Sequence, residues 1–178
     1  NLDNTPQVTI TNSYFGSCRA RGVLVSTPRP VVIENNVFES SGSAILIPGD
    51  ANAWFESGAC HDVLIRRNHF TDGCMVSMYQ FCEGIISICP EIPAPREDMP
   101  FHRHIRIEEN TFHAFDAPVL YALCTRGLSF TGNILIRSRA YAPWHPRRAM
   151  ATLRACSDVT VKDNRFVGDV LSRETVRQ

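Results

Sequence analysis

An eight-residue segment recurs six times along this chain of 178 residues, and this repeat constrains the fold most strongly. Each copy reads apolar, any residue, apolar, two polar residues, Asn, any residue, Phe. Successive copies start 23, 32, 42, 23 and 31 residues apart, which indicates a turn of 23 residues that is lengthened by loop insertions. The copies are VTITNSYF, VVIENNVF, VLIRRNHF, IRIEENTF, LSFTGNIL and VTVKDNRF, and they start at Val8, Val31, Val63, Ile105, Leu128 and Val159.

Two columns of the repeat are nearly invariant. The Asn column contains Ser13, Asn36, Asn68, Asn110, Asn133 and Asn164. The aromatic column contains Phe15, Phe38, Phe70, Phe112, Leu135 and Phe166. Half of the ten phenylalanines therefore occupy one position of one repeat, which overall composition does not explain.

Each copy predicts a short alternating strand followed by a turn at the Asn. A second apolar strand follows most copies, at Gly22–Val25, Ala44–Ile47, Gly84–Ile88, Pro118–Leu123 and, more weakly, Ala149–Leu153. Strands that recur without intervening helices predict an all-β fold, a right-handed parallel β-helix of about six coils with loop insertions. The Phe column would stack in its interior, and the Asn column would take up a left-handed backbone and bond to the next coil. A β-sandwich is the alternative, but it does not require the same side chain in every unit.

We expect residues 1–178 to form a single parallel β-helix domain. The seven residues before the first copy are too few to cap a solenoid end, where apolar interior and strand edges are exposed. This predicts that N-terminal coils of a larger parent protein are missing, or that the uncapped first coil mediates self-association. The last segment, 167–178, is a candidate cap for the other end.

Composition excludes several classes of partner. Eighteen basic residues balance eighteen acidic ones, so neither nucleic acid nor an anionic membrane is an expected partner. Only Lys162 among the basic residues is a lysine, and an arginine bias favours fixed contacts with a polar ligand. The seven cysteines are irregularly spaced and predict neither a disulfide framework nor a zinc site.

Function in a solenoid usually lies on loop insertions. The predicted insertions are Pro48–Asp62, Thr71–Glu83, Cys89–Arg103 and Ile136–Arg148. The first insertion places Asp50, Asn52, Trp54 and Glu56 within seven residues. An aromatic ring between carboxylates is typical of sugar sites, because the ring packs on the apolar sugar face while the acids bond hydroxyls. A polar loop with one anchoring aromatic residue is the alternative.

Three other features are candidates for a site. Arg19 and Arg21 share a strand phase, and coil stacking predicts that they approach the Asp50 loop; a structural salt bridge is the alternative. His102 and His104 alternate on one strand, but no carboxylate near them has ligand spacing, so we expect neither a metal nor another cofactor. The fourth insertion carries Trp144 and His145, which form either a second sugar-facing wall or, as we favour, an exposed loop.

The chain resembles glycoside hydrolase family 110, the β-helix α-1,3-galactosidases, over roughly 130 residues. The matching segments are GSCRARG, GDANAWFESGA, ICPEIPAP, HRHIRIEENTF and FDAPVLYA. The resemblance is to the C-terminal part of the family's β-helix, because the Asp-Asp pair that the family carries on an earlier coil is absent here. It implies an exo-acting, inverting enzyme that releases terminal α-1,3-linked galactose from a glycan without a metal. A secreted or periplasmic location is expected for such an enzyme.

The sequence therefore predicts a glycoside hydrolase or the substrate-binding half of one. An inverting mechanism needs two carboxyl groups about 6.5–9.5 Å apart. Asp50 and Glu56 are the catalytic candidates, and Arg19, Arg21, Asn52 and Trp54 are the substrate-binding candidates. A polysaccharide lyase is one alternative, although no column of cation-binding carboxylates supports it. A non-catalytic carbohydrate-binding or structural β-helix is the other.

Overall fold

The computed structural model describes residues 2–50, 58–77, 83–145 and 148–169. Strands dominate these ranges, and their only helical segment is a 3-10 turn at Leu2–Asn4. Three strands, one for each side, make up a complete coil. In chain order the coils contain β1 (Val8–Thr11), β2 (Tyr14–Cys18), β3 (Arg21–Leu24); β4 (Val31–Glu34), β5 (Val37–Ser40), β6 (Ser43–Asp50); β7 (His61–Arg66), β8 (His69–Phe70), β9 (Ile86–Glu91); β10 (His102–Glu108), β11 (Thr111–Ala114), β12 (Leu120–Leu123); β13 (Thr125–Thr131), β14 (Ile134–Arg137), β15 (Ala151–Arg154); and β16 (Ser157–Lys162), β17 (Arg165–Val167).

The strands form three parallel sheets that run along the axis of the molecule. Sheet A has the order β1-β4-β7-β10-β13-β16, sheet B has β2-β5-β8-β11-β14-β17, and sheet C has β3-β6-β9-β12-β15. Each strand pairs with its counterpart one coil away, which is the topology of a parallel β-helix. The predicted fold is therefore confirmed, and its parallel crossovers are consistent with right-handed winding.

The recurring segment differs from the prediction in one respect. Each copy contains two strands, one in sheet A and one in sheet B, with the Asn at the corner between them. The residue before the Asn, not the Asn itself, has the left-handed backbone, with φ of 56° at Asn35, 53° at Arg67 and 55° at Glu109. The predicted position of the bend is therefore wrong by one residue. The corner residue points outward and absorbs the turn, which leaves the Asn side chain free to point inward.

The Asn side chains form a continuous ladder inside that corner. Asn68 Nδ2 donates to Asn110 Oδ1 at 3.0 Å and to the carbonyl of Ile33 at 2.9 Å. Asn68 Oδ1 in turn accepts from both the backbone N and the Nδ2 of Asn36, each at 3.0 Å. The same pattern continues to Asn133 and Asn164. Burial of these amides is stable because every amide group in the ladder has a partner.

The aromatic column packs as a stack along the core. Ring centroids lie 4.9 Å apart for Phe15 and Phe38, 5.1 Å for Phe38 and Phe70, and 4.6 Å for Phe70 and Phe112. The next coil has Leu135 in this column, and the stack shifts to Phe130 of sheet A, 5.8 Å from Phe112. A large side chain on the neighbouring strand thus replaces the volume that Leu135 lacks.

Sheet C differs from the other two sheets in its burial. β4 and β5 alternate between buried and accessible residues, whereas all eight residues of β6 and all four of β12 are buried. All four insertions flank sheet C, since they connect β6 to β7, β9 to β10, β8 to β9 and β14 to β15. The outer face of sheet C is therefore bordered by loops on both sides. No helix among the described residues has the length and apolarity needed to cross a membrane.

Candidate functional site

The outer face of sheet C forms the floor of the candidate site. Leu46, Ser87, Tyr121 and Thr152 lie in one register row across four coils. Tyr121 and Leu123 are each only 8% exposed, although alternation along the strand directs them away from the core. They pack with Cys89, Ile92 and Phe101 in a second apolar cluster outside the main core.

Asp50 ends β6 at one border of this floor. Asp50 is only 3% exposed, and its register partner on the next coil is Glu91. Facing positions on neighbouring parallel strands lie about 4.8 Å apart and share one side of the sheet. The structure thus brings a second acidic residue beside Asp50. Aligning the second strands ILIPGD and ISICPE places Asp50 and Glu91 in the same position, whereas the repeated segment contains neither residue.

The other members of the predicted Asp50 loop are not described. Asn52, Trp54 and Glu56 lie outside the described residues, so their proposed roles and the Asp50–Glu56 separation stay predictions.

The predicted proximity of the arginine pair to Asp50 is wrong. Arg21 begins β3 and pairs with Ser43, at the start of β6, whereas Asp50 ends that strand. At about 3.3 Å per residue, the length of β6 separates the two by roughly 23 Å. Arg19 lies in the turn before β3 and not in a strand, and its carbonyl accepts a hydrogen bond from Ser41 Oγ at 2.7 Å. Coil stacking predicted the correct neighbouring coil but not the position along an eight-residue strand. A substrate-binding role for Arg19 and Arg21 stays a prediction.

The loop 92–101 closes the border of sheet C near Asp50. A cavity of about 560 Å³ is lined by Ile92, Pro93, Ala94, Asp98, Met99, Pro100, Phe101 and Arg103. The loop is held from below by the Cys124 thiol, which donates to the carbonyl oxygens of Arg96 and Met99 at 3.2 and 3.4 Å. The Phe101 ring occupies the space above Gly49, where any Cβ would lie 2.3 Å from a ring carbon.

Polar groups mark the opposite border. Ser87 Oγ accepts from the backbone N of Glu83 and of Gly84, at 3.2 and 3.1 Å, and so fixes the turn before β9. The Glu83 carboxylate forms an ion pair with Arg148 at 2.8 Å.

Burial, reinforced by the Glu83 and Glu91 charges, raises the pKa of the Cys89 thiol. A thiol held in its neutral form is a poor nucleophile, so Cys89 is a packing residue of the floor.

His102 and His104 do not form a joint metal site. His102 is fully buried, and its Nδ1 accepts a hydrogen bond from the Cys60 backbone N at 3.1 Å. Burial, together with the neighbouring His61, lowers the pKa of His102 to about 3. His104 is exposed, with Nδ1 3.3 Å from Asp62 Oδ1. Within the described part of the chain, no group of three or more His, Cys, Asp and Glu side chains is arranged to hold a metal ion.

Asp116 and His145 form a pair that the sequence analysis did not predict. Asp116 Oδ2 lies 2.8 Å from His145 Nδ1, and the Asp116 carboxylate also accepts from the backbone N of His145. The pair joins coil 4 to the loop between β14 and β15 at the sheet C border. The two residues are 29 positions apart, and no motif links them.

The fold and the site define a parallel β-helix protein with a candidate site on sheet C, which the described loops border. No family model matches the chain. The chain is 60% identical over 97% of its length to α-1,3-galactosidase B of Bacteroides thetaiotaomicron. It is 42% identical over 94% of its length to α-1,3-galactosidase B of Akkermansia muciniphila, and 42% identical over its whole length to α-1,3-galactosidase A of Bacteroides fragilis.

The chain belongs to glycoside hydrolase family 110, as the resemblance of its motifs predicted. It covers only 28%, 21% and 28% of the lengths of these three relatives. Such partial coverage is consistent with the predicted correspondence to a C-terminal part of the family's β-helix.

Proposed function

We propose that this chain provides part of the glycan-binding surface of an exo-acting, inverting α-galactosidase, and that Asp50 is one of its catalytic carboxyl groups. The observation that carries the proposal is the position of Asp50. It is buried at the end of a strand of the loop-covered sheet, directly beside Glu91 and close to the cavity of the 92–101 loop. The names of the relatives support α-1,3-linked galactose as the sugar that is released, and we place this galactose at the end of the glycan.

The spacing of the coils limits which residue acts with Asp50. An inverting glycosidase holds its two carboxyl groups about 6.5–9.5 Å apart, because a water molecule must fit between base and sugar. Glu91 faces Asp50 at a strand separation of about 4.8 Å, which is shorter than that range. We therefore assign Glu91 to binding a sugar hydroxyl beside Asp50. The second catalytic carboxyl group is assigned to another residue, for which Glu56 is the candidate in this chain.

The remaining parts of the proposal follow from this assignment. Asn52 and Trp54 would contact the galactose, with the Trp ring packed against the apolar sugar face. The glycan is the only partner in this proposal, and export to the periplasm or the medium would give access to it.

Hydrolysis assays test the role of Asp50. We expect the chain to cleave 4-nitrophenyl α-galactoside, and to release galactose from an α-1,3-linked galactosyl disaccharide, but not to cleave the β-galactoside. The Asp50→Asn variant removes a proton donor or acceptor while keeping the size of the side chain. It should reduce kcat by about 10²–10⁴-fold.

The matched control is Asp163→Asn, the same chemical change at an exposed corner between sheets A and B. It should leave kcat unchanged. Equal activity of the wild type and Asp50→Asn would remove Asp50 from the mechanism. A wild-type chain that neither cleaves nor binds the α-galactosides would contradict the proposed function as a whole.

A further inference from the structure

The loop between β14 and β15 is described at residues 138–145 and 148, and its two ends contact a coil two turns back. Ser138 Oγ donates to Asp72 Oδ2 at 2.8 Å, and Arg148 Nη1 lies 2.8 Å from Glu83 Oε2. Asp72 and Glu83 both belong to the third coil, whereas the loop itself arises from the fifth. These contacts hold the loop, which we name the 138–148 loop, against the border of sheet C.

The middle of the 138–148 loop is fixed by the fourth coil. The Asp116 side chain is only 7% exposed, and its carboxylate accepts from the backbone N of Ala117 at 2.8 Å and of His145 at 2.9 Å. The third contact is His145 Nδ1 at 2.8 Å. An ionised carboxylate only accepts hydrogen bonds, so Nδ1 carries a proton in this pair.

This pairing determines what the other ring nitrogen can do. In a neutral imidazole with Nδ1 protonated, Nε2 is a hydrogen-bond acceptor. The His145 side chain is 23% exposed, and so its ring is held in one orientation while part of it reaches solvent. The backbone bond from His145 to Asp116 already anchors the loop, and the side-chain bond adds the orientation of the ring.

Two exposed aromatic residues accompany His145. Trp144 is 43% exposed and Tyr141 is 49% exposed. The Tyr141 ring packs edge-to-face on the buried Phe115, with centroids 5.4 Å apart, which fixes this part of the loop. An exposed Trp that neighbours a hydrogen-bonded His in the chain suits a pyranose ring, which has an apolar face and peripheral hydroxyl groups.

We propose that residues 141–145 of the 138–148 loop form a second saccharide subsite, in which Trp144 stacks on a neutral sugar and His145 Nε2 accepts a hydrogen bond from one of its hydroxyls. Asp116 is the positioning residue for His145. The subsite rests on the proposed function, because it binds a sugar of the same glycan whose terminal galactose lies at Asp50.

The length of sheet C sets the size of that glycan. The loop precedes the sheet C strands and Asp50 follows them, so β9, from Ile86 to Glu91, approximates the distance between the two subsites. At about 3.3 Å per residue this is roughly 17 Å along the strands, and the two-coil step from Asp50 to Asp116, at about 4.8 Å per coil, raises the distance to roughly 19 Å. A disaccharide is too short to reach both, whereas a tetrasaccharide spans them.

The experiment compares the affinities of a neutral, α-galactosyl-terminated tetrasaccharide and of the matching disaccharide, measured by titration calorimetry. We expect the wild-type chain to bind the tetrasaccharide at least tenfold more tightly. Trp144→Ala should remove this gain and leave the affinity for the disaccharide unchanged. Tyr14→Ala, which truncates an exposed aromatic residue on the first coil, is the control and should change neither affinity.

His145→Asn separates binding from loop anchoring. The Asn side-chain amide can still donate to Asp116 in place of Nδ1, but nothing replaces Nε2. We expect a severalfold loss of tetrasaccharide affinity with an unchanged Tm. His145→Gln, which places an amide group near the position of Nε2, should recover part of that loss.

The possible results distinguish the two proposals. Unchanged tetrasaccharide affinity in both Trp144→Ala and His145→Asn would overturn the subsite, even if Asp50→Asn abolishes hydrolysis. Conversely, a Trp144-dependent affinity in a chain whose Asp50→Asn variant hydrolyses α-galactosides as fast as the wild type would support the subsite and contradict the catalytic role of Asp50.

Discussion

Sheets A and B differ from sheet C in sequence repetition, in burial and in the position of the loop insertions. Sheets A and B carry the repeated segment, the Asn ladder and the Phe stack, and their central strands bury one face. Sheet C does not carry the repeated segment, its strands β6 and β12 are buried on both faces, and all four insertions border it. Two sides of the solenoid thus maintain the stacking of coils, while the third side is bordered by the insertions and carries the candidate site.

Truncation of the Phe stack should give the largest effect. Phe70 is fully buried between Phe38 and Phe112, so Phe70→Ala leaves a cavity in the middle of the core. We expect the free energy of unfolding to fall by about 3–5 kcal/mol, measured by urea denaturation.

The sheet C counterpart is Glu91→Gln, which should change the free energy of unfolding by less than about 0.5 kcal/mol, because the Glu91 side chain is exposed. A loss below about 1 kcal/mol for Phe70→Ala would remove the distinction between a structural and a functional side.

The buried His102 tests the corner between sheet C and sheet A. Its pKa is about 3 in the folded chain, whereas an unfolded histidine has its ordinary value near 6.5. As the pH falls through this interval, the unfolded state binds a proton that the folded state does not. The free energy of unfolding should therefore fall by about 1 kcal/mol per pH unit between pH 6.5 and 3.

His102→Asn is the comparison variant, because an Asn oxygen can accept from the Cys60 backbone N in place of Nδ1. Urea denaturation between pH 7 and 4 should give a shallower pH dependence for this variant. Parallel curves for the two proteins would show that His102 is not the source of the pH dependence.

A smaller effect is expected from Gly49→Ala on sheet C itself. The new Cβ would lie 2.3 Å from the Phe101 ring, so the ring and the 92–101 loop must move. We expect a loss of about 1–2 kcal/mol in the free energy of unfolding. Hydrogen exchange should become faster in the 92–101 loop but not in sheets A and B. Faster exchange throughout the chain would show that the stability of sheets A and B depends on this loop.

Much of the fold could be predicted because it repeats. Identical phases of Phe70 and Phe112, or of Asn68 and Asn110, identify residues that stack on neighbouring coils. The repeat does not reveal which residue of the corner turns outward, because Arg67 and Asn68 are both polar. Burial of the Asn ladder decides this point in favour of Arg67 as the turning residue.

The site was less predictable for a related reason. Stacking identifies the neighbouring coil but not the position along a strand. It therefore predicts that Arg21 lies beside Asp50, whereas Arg21 pairs with Ser43. An alignment of the sheet C strands predicts the pairing of Glu91 with Asp50. No period or motif predicts the pairing of Asp116 with His145. Contacts between non-repeating loops depend on loop paths that only the three-dimensional structure gives.

The reach of the 138–148 loop has a consequence for how the chain unfolds. In a solenoid each repeat contacts only its neighbours, so that stability spreads along one dimension and coils can fray in sequence. Ser138 and Arg148 connect the fifth coil directly to Asp72 and Glu83 of the third. This bypass couples coils three to five, which carry Glu91, the 92–101 loop and the 138–148 loop, so that a coil outside this unit can open while these three remain closed.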